Sequence, residues 1–342
     1  MYAAESSDSE INPKEIIFEH VQDAYWWHIT TINEHHISVY LPVIIYSSAS
    51  GWNIFMSSHL EHGHKYRGFY IPDGGRYAGK IVESGANGAE VLPLIDISVT
   101  KTVLAMLINS VVMLVIFLSV ARWYKRRPGY LAPGGFVGAM EMFVMSVEDD
   151  IIRESIGKDY ARYSPYLLTA FFFIFINNIM GLIPFFPGGV NVTGNIAVTL
   201  VLAFCTMIAV NLFGNKEYWK EILWPDVPLW MKAPFPLMPV IELFGVISKP
   251  FALTIRLFAN ITAGHAVMLA LTCLVFITVK MGVAMNVGMT VFSVILSVFM
   301  NFMEILVAYI QAYVFTMLSA VFIGLSRQEH DHKSAGKKLK TM

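Results

Sequence analysis

The sequence predicts an all-α polytopic membrane protein: about five membrane helices, the last two long and tilted, plus a surface amphipathic helix. A small β-rich region outside the membrane precedes them. Three observations predict this. The chain of 342 residues is 56% hydrophobic and 14% charged, with a mean hydropathy of +0.56, too apolar for an ordinary soluble protein of that length. The charges are bunched, leaving uncharged runs long enough to cross the ~30 Å hydrocarbon core as helices. Residues 1–97 differ in composition, being polar and aromatic with short alternating runs.

In residues 1–97, SVYLPVIIYSS, WNIFMSSHL and YRGFYIP read as strands between Gly, Asp and Asn breaks. No n-region followed by an h-region is visible at Met1, so either a signal has been removed or the first span is an N-out anchor. The membrane domain is expected over 98–326. Its first helix, at about 102–123, begins with the uncharged run TVLAMLINSVVMLVIFLSVA. From Tyr163 to Asn215 there is no Asp, Glu, Lys or Arg, but PFFPGGVNVTGN at 184–195 breaks the run into helices at about 163–186 and 195–213. After a Trp- and Pro-rich segment come helices at about 236–279 and 283–325. Both exceed what a perpendicular crossing requires, so they must tilt or emerge from the bilayer. At about 136–156, Phe136, Met140, Phe143, Val144, Val147 and Ile151 recur at helical spacing, with Glu141, Glu148, Asp149, Asp150 and Arg153 between them. That pattern describes an amphipathic surface helix, its acidic run a solvated face.

Basic residues set the orientation. They crowd RWYKRRPGY (122–130), recur at Lys216, Lys220 and Lys232, and fill the tail at 327–342. The 184–195 loop has none, and Lys280 is the one exception. The positive-inside rule places the N-terminus outside and the C-terminus in the cytoplasm. The net charge of −1 gives no reason to expect nucleic-acid binding. Cys205 and Cys273 lie inside apolar runs with no metal spacing and read as small buried hydrophobes.

Charge inside the membrane is where chemistry is sought. A charge at the bilayer centre costs ~2.5–3.5 kcal/mol on insertion scales, so it persists mainly where it faces a partner or a water-filled path. Glu242, Lys249 and Arg256 are spaced seven and seven, which returns within about 40° of one helix face. Pro250 should kink this helix rather than end it. In the last helix, Ser297, Asn301, Glu304 and Gln311 form a polar stripe, with Ala308 in the small position between the last two. Such a stripe suits a proton or ion path, and equally suits helix–helix contact. Lys249 is read as snorkelling or binding lipid head groups. In the outer region His59, His62 and His64 form H-x-x-H-x-H beside His35 and His36. This spacing could bind zinc or copper, but no fourth ligand is fixed by it, and a solvated strand–turn surface is the preferred reading. GGRYAGK at 74–80 approaches a P-loop, but Ile81 stands where Ser or Thr must hold magnesium, and no helix pattern follows.

The segment VISKPFALTIRLFANITAGHAVMLALTCLVF (246–276) resembles the signature of the a subunit, or subunit 6, of the membrane Fo sector of F-type ATP synthases. MEILVAYIQAYVFTMLSAVFIGL (303–325), APGGFVGAMEMFVMSVEDDI (132–151), and FINNIMGLIPFF (175–186) followed by NVTGNIAVTLVLAF (191–204) resemble its last helix, surface helix and central hairpin. The resemblance covers roughly 130–326, and residues 1–97 resemble the extended N-terminal region of some bacterial members.

The resemblance implies roles. Arg256 matches the stator arginine that faces the carboxylate on each c subunit. His265 and Glu304 match a polar pair of the outer half-channel, which other members carry as Glu and His in the opposite order. Glu242 matches the acidic position of the cytoplasmic half-channel, and Gln311 matches the glutamine near the arginine. Asn260 lies one turn beyond Arg256, while Asn178 and Asn195 match polar hairpin positions. Gly181 stands where some members carry an acid. Cofactors are none. Implied partners are the c-subunit rotor ring, the b-subunit peripheral stalk, membrane lipids and, indirectly, the F1 sector, and the implied location is the bacterial inner membrane. With no nucleotide site, the chain's own work would be conduction coupled to rotation. Two rivals are a secondary antiporter, whose usual internal repeat is not found, and a non-conducting scaffold, which would tolerate neutral replacements of Arg256 and Glu304.

Overall fold

A computed structural model describes residues 23–32, 35–48, 50–72, 74–84, 90–126, 132–183, 188–212, 214–223, 237–279 and 282–327. Expectations for residues 1–22, the loops at 127–131 and 184–187, the 224–236 segment, Lys280, the tail at 328–342, and the side chains of His35, His36 and His62 lie outside the described residues. The chain forms two compact units: one of residues 1–111, 179–195 and 262–304, the other of 112–178, 196–261 and 305–342.

The first unit contains the β-rich region. Its strands are β1 Trp26–Ile32, β2 His35–Tyr40, β3 Pro42–Ser47, β4 Gly51–Met56, β5 Phe69–Tyr70, β6 Val82–Ser84, β7 Glu90–Val91 and β8 Ile95–Asp96. They form three small antiparallel sheets, β1-β2, β4-β3-β8 and β5-β6-β7. The single run expected at 38–48 is split at Leu41. Pro42 has no N–H to give a ladder and opens a new strand instead. β1 and the short β6, β7 and β8 were not expected from the sequence. Val43, Ile45, Phe55, Leu60, Phe69, Ile71 and Ile81 fill the core. Tyr25 joins them and donates its hydroxyl to Asp96 Oδ2 at 2.7 Å. Burial, and then Asp96, push that hydroxyl well above the ordinary tyrosine range, so it remains a donor at every physiological pH.

Helix α1, Lys101–Arg126, begins in this unit. Its N-terminal amides are satisfied from far upstream: Asp23 Oδ1 accepts from Thr102 N at 3.2 Å, and Ala24 O accepts from Lys101 N at 2.8 Å. A carboxylate at that end also meets the positive pole of the helix.

In the second unit, α2, Gly135–Met145, runs into a π-helical turn at Ser146–Arg153 and a last turn at Glu154–Ile156. Val147, Ile151 and Ile152 are buried there, while Asp149 pairs with Arg153 at 3.1 Å on the solvent side. Phe136, expected on the apolar face, is exposed. The expected positions that turn inward are Met140, Phe143, Val144, Val147 and Ile151. α3 spans Tyr160–Leu182, starting earlier and ending sooner than the sequence suggested. Ring pairs among Phe143, Phe171, Phe175 and Tyr309 line its packing face. α4, Ile196–Leu212, and α5, Lys216–Leu223, follow.

The two long helices are α6, Leu237–Thr278, and α7, Val283–Arg327. At 1.5 Å per residue they are roughly 63 and 68 Å long, about twice the hydrocarbon thickness. α6 continues through Pro250, where Thr254 Oγ1 donates back to the Pro250 carbonyl at 2.9 Å. In the second unit, the end of α7 is tied down by Arg327, which reaches Asp159 at 2.7 Å and Asn215 Oδ1 at 3.2 Å. Gly324 lets α7 pass close to Ser155, since a Cβ there would collide with the Ser155 carbonyl oxygen. Among the described residues, four helical stretches are long and apolar enough to cross a membrane: α1, the α2–α3 run, α6 and α7. The fifth expected crossing is the apolar α4, at 17 residues, the short limit for a span.

Candidate functional site

Arg256 is exposed on α6, and so are Ala252, Ala259 and Asn260. The guanidinium therefore projects from a face built largely of small side chains. Among the described residues no carboxylate pairs with it. One turn on, Asn260 Nδ2 donates to Gln311 Oε1 of α7 at 2.9 Å. Gln311 is buried, as is Ala308 one turn before it. The structure thus brings Asn260 and Gln311 together beside the arginine's turn.

In the first unit, His265 Nδ1 of α6 stands 3.7 Å from Glu304 Oε1 of α7, beyond a good hydrogen bond but close enough for strong coupling of charge. Glu304 is 7% exposed. Its Oε1 has no hydrogen-bond partner among the described residues, and neither do the buried Asn191 Nδ2, Thr262 Oγ1 and Ser293 Oγ of the same unit. Gly264 makes the room: a Cβ at this position would lie 2.8 Å from Glu304 Oε1 and 3.3 Å from its carboxyl carbon. On the other side of the imidazole, a Cβ at Gly181 would lie 3.6 Å from His265 Nε2. Position 181 therefore borders the imidazole at ordinary contact distance.

Glu242 is half-buried near Tyr218 of α5. Burial, and then the Glu242 carboxylate, raise the Tyr218 hydroxyl above its usual range, and it donates to Asn211 Oδ1 at 3.2 Å. Asn178 is buried in the second unit. Asn195 is half-buried in the first, where its N–H donates to Val192 O at 3.2 Å.

Within the polar stripe of α7, Asn301 is exposed, since three residues before Glu304 places it about 60° away around the helix. Ser293, eleven residues before Glu304 and within about 20° of it, is buried. Two expectations are corrected. Cys205, expected as a small buried hydrophobe, is exposed, while Cys273 is buried. Lys249 does not reach outward. It lines a cavity of about 20 Å³ with Asn211, Tyr218 and Pro250, and its Nζ lies 5.2 Å from the centre of the Phe322 ring. A cation–π contact offsets part of the cost of holding an ammonium there. In the outer region His59 is exposed and stacks on Tyr66 at 4.5 Å. GGRYAGK forms turns that lead into β6 rather than a helix.

Sequence reasoning also missed Gly264, Thr262 and Asn191. The signal for Gly264 was its place directly before His265. We expect Gly264→Ala to assemble at near-normal levels but to lower proton flux roughly tenfold, within the range that a misplacement of about 1 Å can cost. Normal flux in vesicles bearing the assembled variant would show that the carboxyl's seat beside His265 is unimportant.

The four apolar helical stretches among the described residues, with a buried carboxylate and an exposed guanidinium within them, define an integral membrane protein. A family model described as ATP synthase A chain matches residues 103–324, and one described as a domain of unknown function matches residues 16–98. The chain belongs to the ATP synthase A chain family, the a subunit of the F-type Fo sector. It is 40% identical over 296 residues to ATP synthase subunit a 2 of Prosthecochloris aestuarii, covering 81% of this chain and 85% of that one. It is 42% identical over 256 residues to ATP synthase subunit a of Chlorobium phaeobacteroides, covering 72% and 71%. With ATP synthase subunit a of Myxococcus xanthus it shares 37% over 258 residues, covering 71% and 80%.

Proposed function

We propose that this chain is the proton-conducting stator subunit of an F-type ATP synthase, with Arg256 facing the carboxylates of a rotating c-subunit ring. The observation that carries the proposal is the exposed guanidinium, unpaired among the described residues, on a face of small side chains. A charge costly at membrane depth is kept where something must approach it closely. A guanidinium within reach lowers a carboxyl pKa by about 1–3 units, so a rotor acid releases its proton as it arrives. Once past, it is reprotonated from the other half-channel. The same fixed charge repels a proton running straight through.

In this reading Glu304 and His265 relay protons on the outer side, helped by Asn178 and Asn195, and Glu242 serves the cytoplasmic side. Asn260 and Gln311 brace the arginine's turn. Residues 1–97 lie outside the bacterial inner membrane, 98–326 span it, and 327–342 are cytoplasmic. The b-subunit stalk holds the chain still. Phosphoryl chemistry belongs to the F1 sector, reached only indirectly, and this chain has no catalytic site of its own.

The test uses Ala259→Cys, one turn from Arg256, with Cys205 and Cys273 replaced by alanine. In the assembled complex a short thiol cross-linker should join position 259 to a c subunit carrying a cysteine beside its carboxylate. Cross-linking to another subunit, or none in an intact complex, would remove the rotor from this face.

A further inference from the structure

One face of the β4-β3-β8 sheet lacks the polar side chains of a solvent-facing sheet. The inner face buries Val43, Ile45 and Phe55. On the outer face the cross-strand pairs are Tyr46 with Trp52, Ile44 with Ile54, and Pro42 with Met56. Trp52, Ile54 and Met56 are 56%, 66% and 46% exposed. β8 adds Ile95 opposite Tyr46, and Ile97 follows beside Ile44 through a 2.9 Å backbone bond; both are exposed. Every side chain on this face is apolar or aromatic, and from Ile37 to Leu60 the sequence has no Asp, Glu, Lys or Arg. An antiparallel sheet facing water normally alternates apolar-in with polar-out. Contiguous exposed apolar patches of this kind mark docking or membrane contact.

What covers the face follows from its place in the chain. Val99 N donates to Pro42 O at 3.1 Å, so the β8 extension follows β3 to within two residues of Lys101, where α1 begins. Two residues span at most about 7 Å. The Pro42–Met56 end of the face therefore adjoins the start of a membrane helix whose own Leu107 and Val111 are exposed. The chain thus passes from the edge of this face into α1 through a two-residue link. Its Tyr46–Trp52 pair, with ring centroids 5.2 Å apart, is the chemistry enriched at the membrane–water boundary. Protein interfaces, by contrast, carry about one hydrogen bond per 100–200 Å², and this face offers no side-chain donor or acceptor beyond the Tyr46 hydroxyl and the Trp52 indole N–H.

We propose that the outer face of the β4-β3-β8 sheet rests on the phospholipid surface on its own side of the membrane, its aromatic and aliphatic side chains seated among the head groups. The sheet fixes the height and tilt at which α1 enters the bilayer, and the β-rich region is a peripheral membrane module as well as an extramembrane one.

The experiment uses the whole complex in phosphatidylcholine–phosphatidylglycerol vesicles, with Cys205 and Cys273 replaced by alanine. Bimane is attached at Ile54→Cys or, nearer α1, at Met56→Cys, with exposed Lys80→Cys as the control. Bimane at 54 and 56 should be quenched strongly by lipids spin-labelled near the head group and several-fold less than the control by aqueous iodide. Iodide quenching equal to the control overturns the proposal. So does a photo-crosslinker at position 54 that labels a protein subunit instead of lipid. Neither result bears on Arg256, because the labelled positions lie in the β-rich region and leave the Arg256 turn unchanged.

Discussion

Arg256→Ala should abolish ATP-driven proton pumping in vesicles while the complex still assembles. The exposed guanidinium forms no ion pair among the described residues, so its loss leaves no buried carboxylate stranded and folding should be nearly unaffected. Function is different. In the proposed mechanism a rotor carboxyl without the fixed charge would keep its proton through the passage, and the ionised fraction would fall by about 10- to 1,000-fold, the equivalent of 1–3 pKa units. Passive proton leak should rise, because in that mechanism the same charge bars direct passage between the half-channels. Arg256→Lys should fall between, since an ammonium is a compact, strongly hydrated point charge without the planar fork. Pumping near the wild-type level in Arg256→Ala would leave the scaffold reading standing.

The second large effect is expected at the 3.7 Å pair of His265 and Glu304. Glu304→Gln keeps shape and hydrogen bonding but cannot take up and release a proton, and flux should drop by about 10²–10⁴, the usual worth of a positioned acid–base group. The exchange His265→Glu with Glu304→His should recover much of that loss. The two side chains meet across α6 and α7, and Gly181 and Gly264 leave space around both. His265→Glu alone places two carboxylates together and Glu304→His alone two imidazoles, and neither should conduct well. A double variant no better than either single one would mean that the pair does not act as a unit.

The membrane helices were legible because the bilayer imposes a length and excludes charge, and those are one-dimensional properties of a sequence. α1, α6 and α7 follow directly from where Lys, Arg, Asp and Glu stop. Side-chain direction was harder. Asn301 and Ser293 are both polar residues near Glu304 in helical register, and only the position of the neighbouring helix decides which turns inward. Lys249 shows the same limit: a lysine near a helix kink reads as snorkelling until Phe322, more than seventy residues later, is placed over its ammonium. In the site, Arg256 and Glu304 were conspicuous as charges in apolar runs. Gly264 was not, since a residue whose role is to be absent has no chemical signature. The outer strands were half legible. Alternation marked β3 and β4, while pairs as short as β7 and β8 exist only because β6 and β3 lie beside them.

The first membrane helix is finished by residues nearly eighty positions earlier, Asp23 and Ala24, which take up the amides of Thr102 and Lys101. Amides at the start of a helix cannot be left bare cheaply. This implies an order in biogenesis: the span could be threaded at once, but its N-terminal end would stay frayed until the β-rich region had folded and returned Asp23 to it. A chain trimmed to its membrane part would keep every helix yet lack the means to close the first.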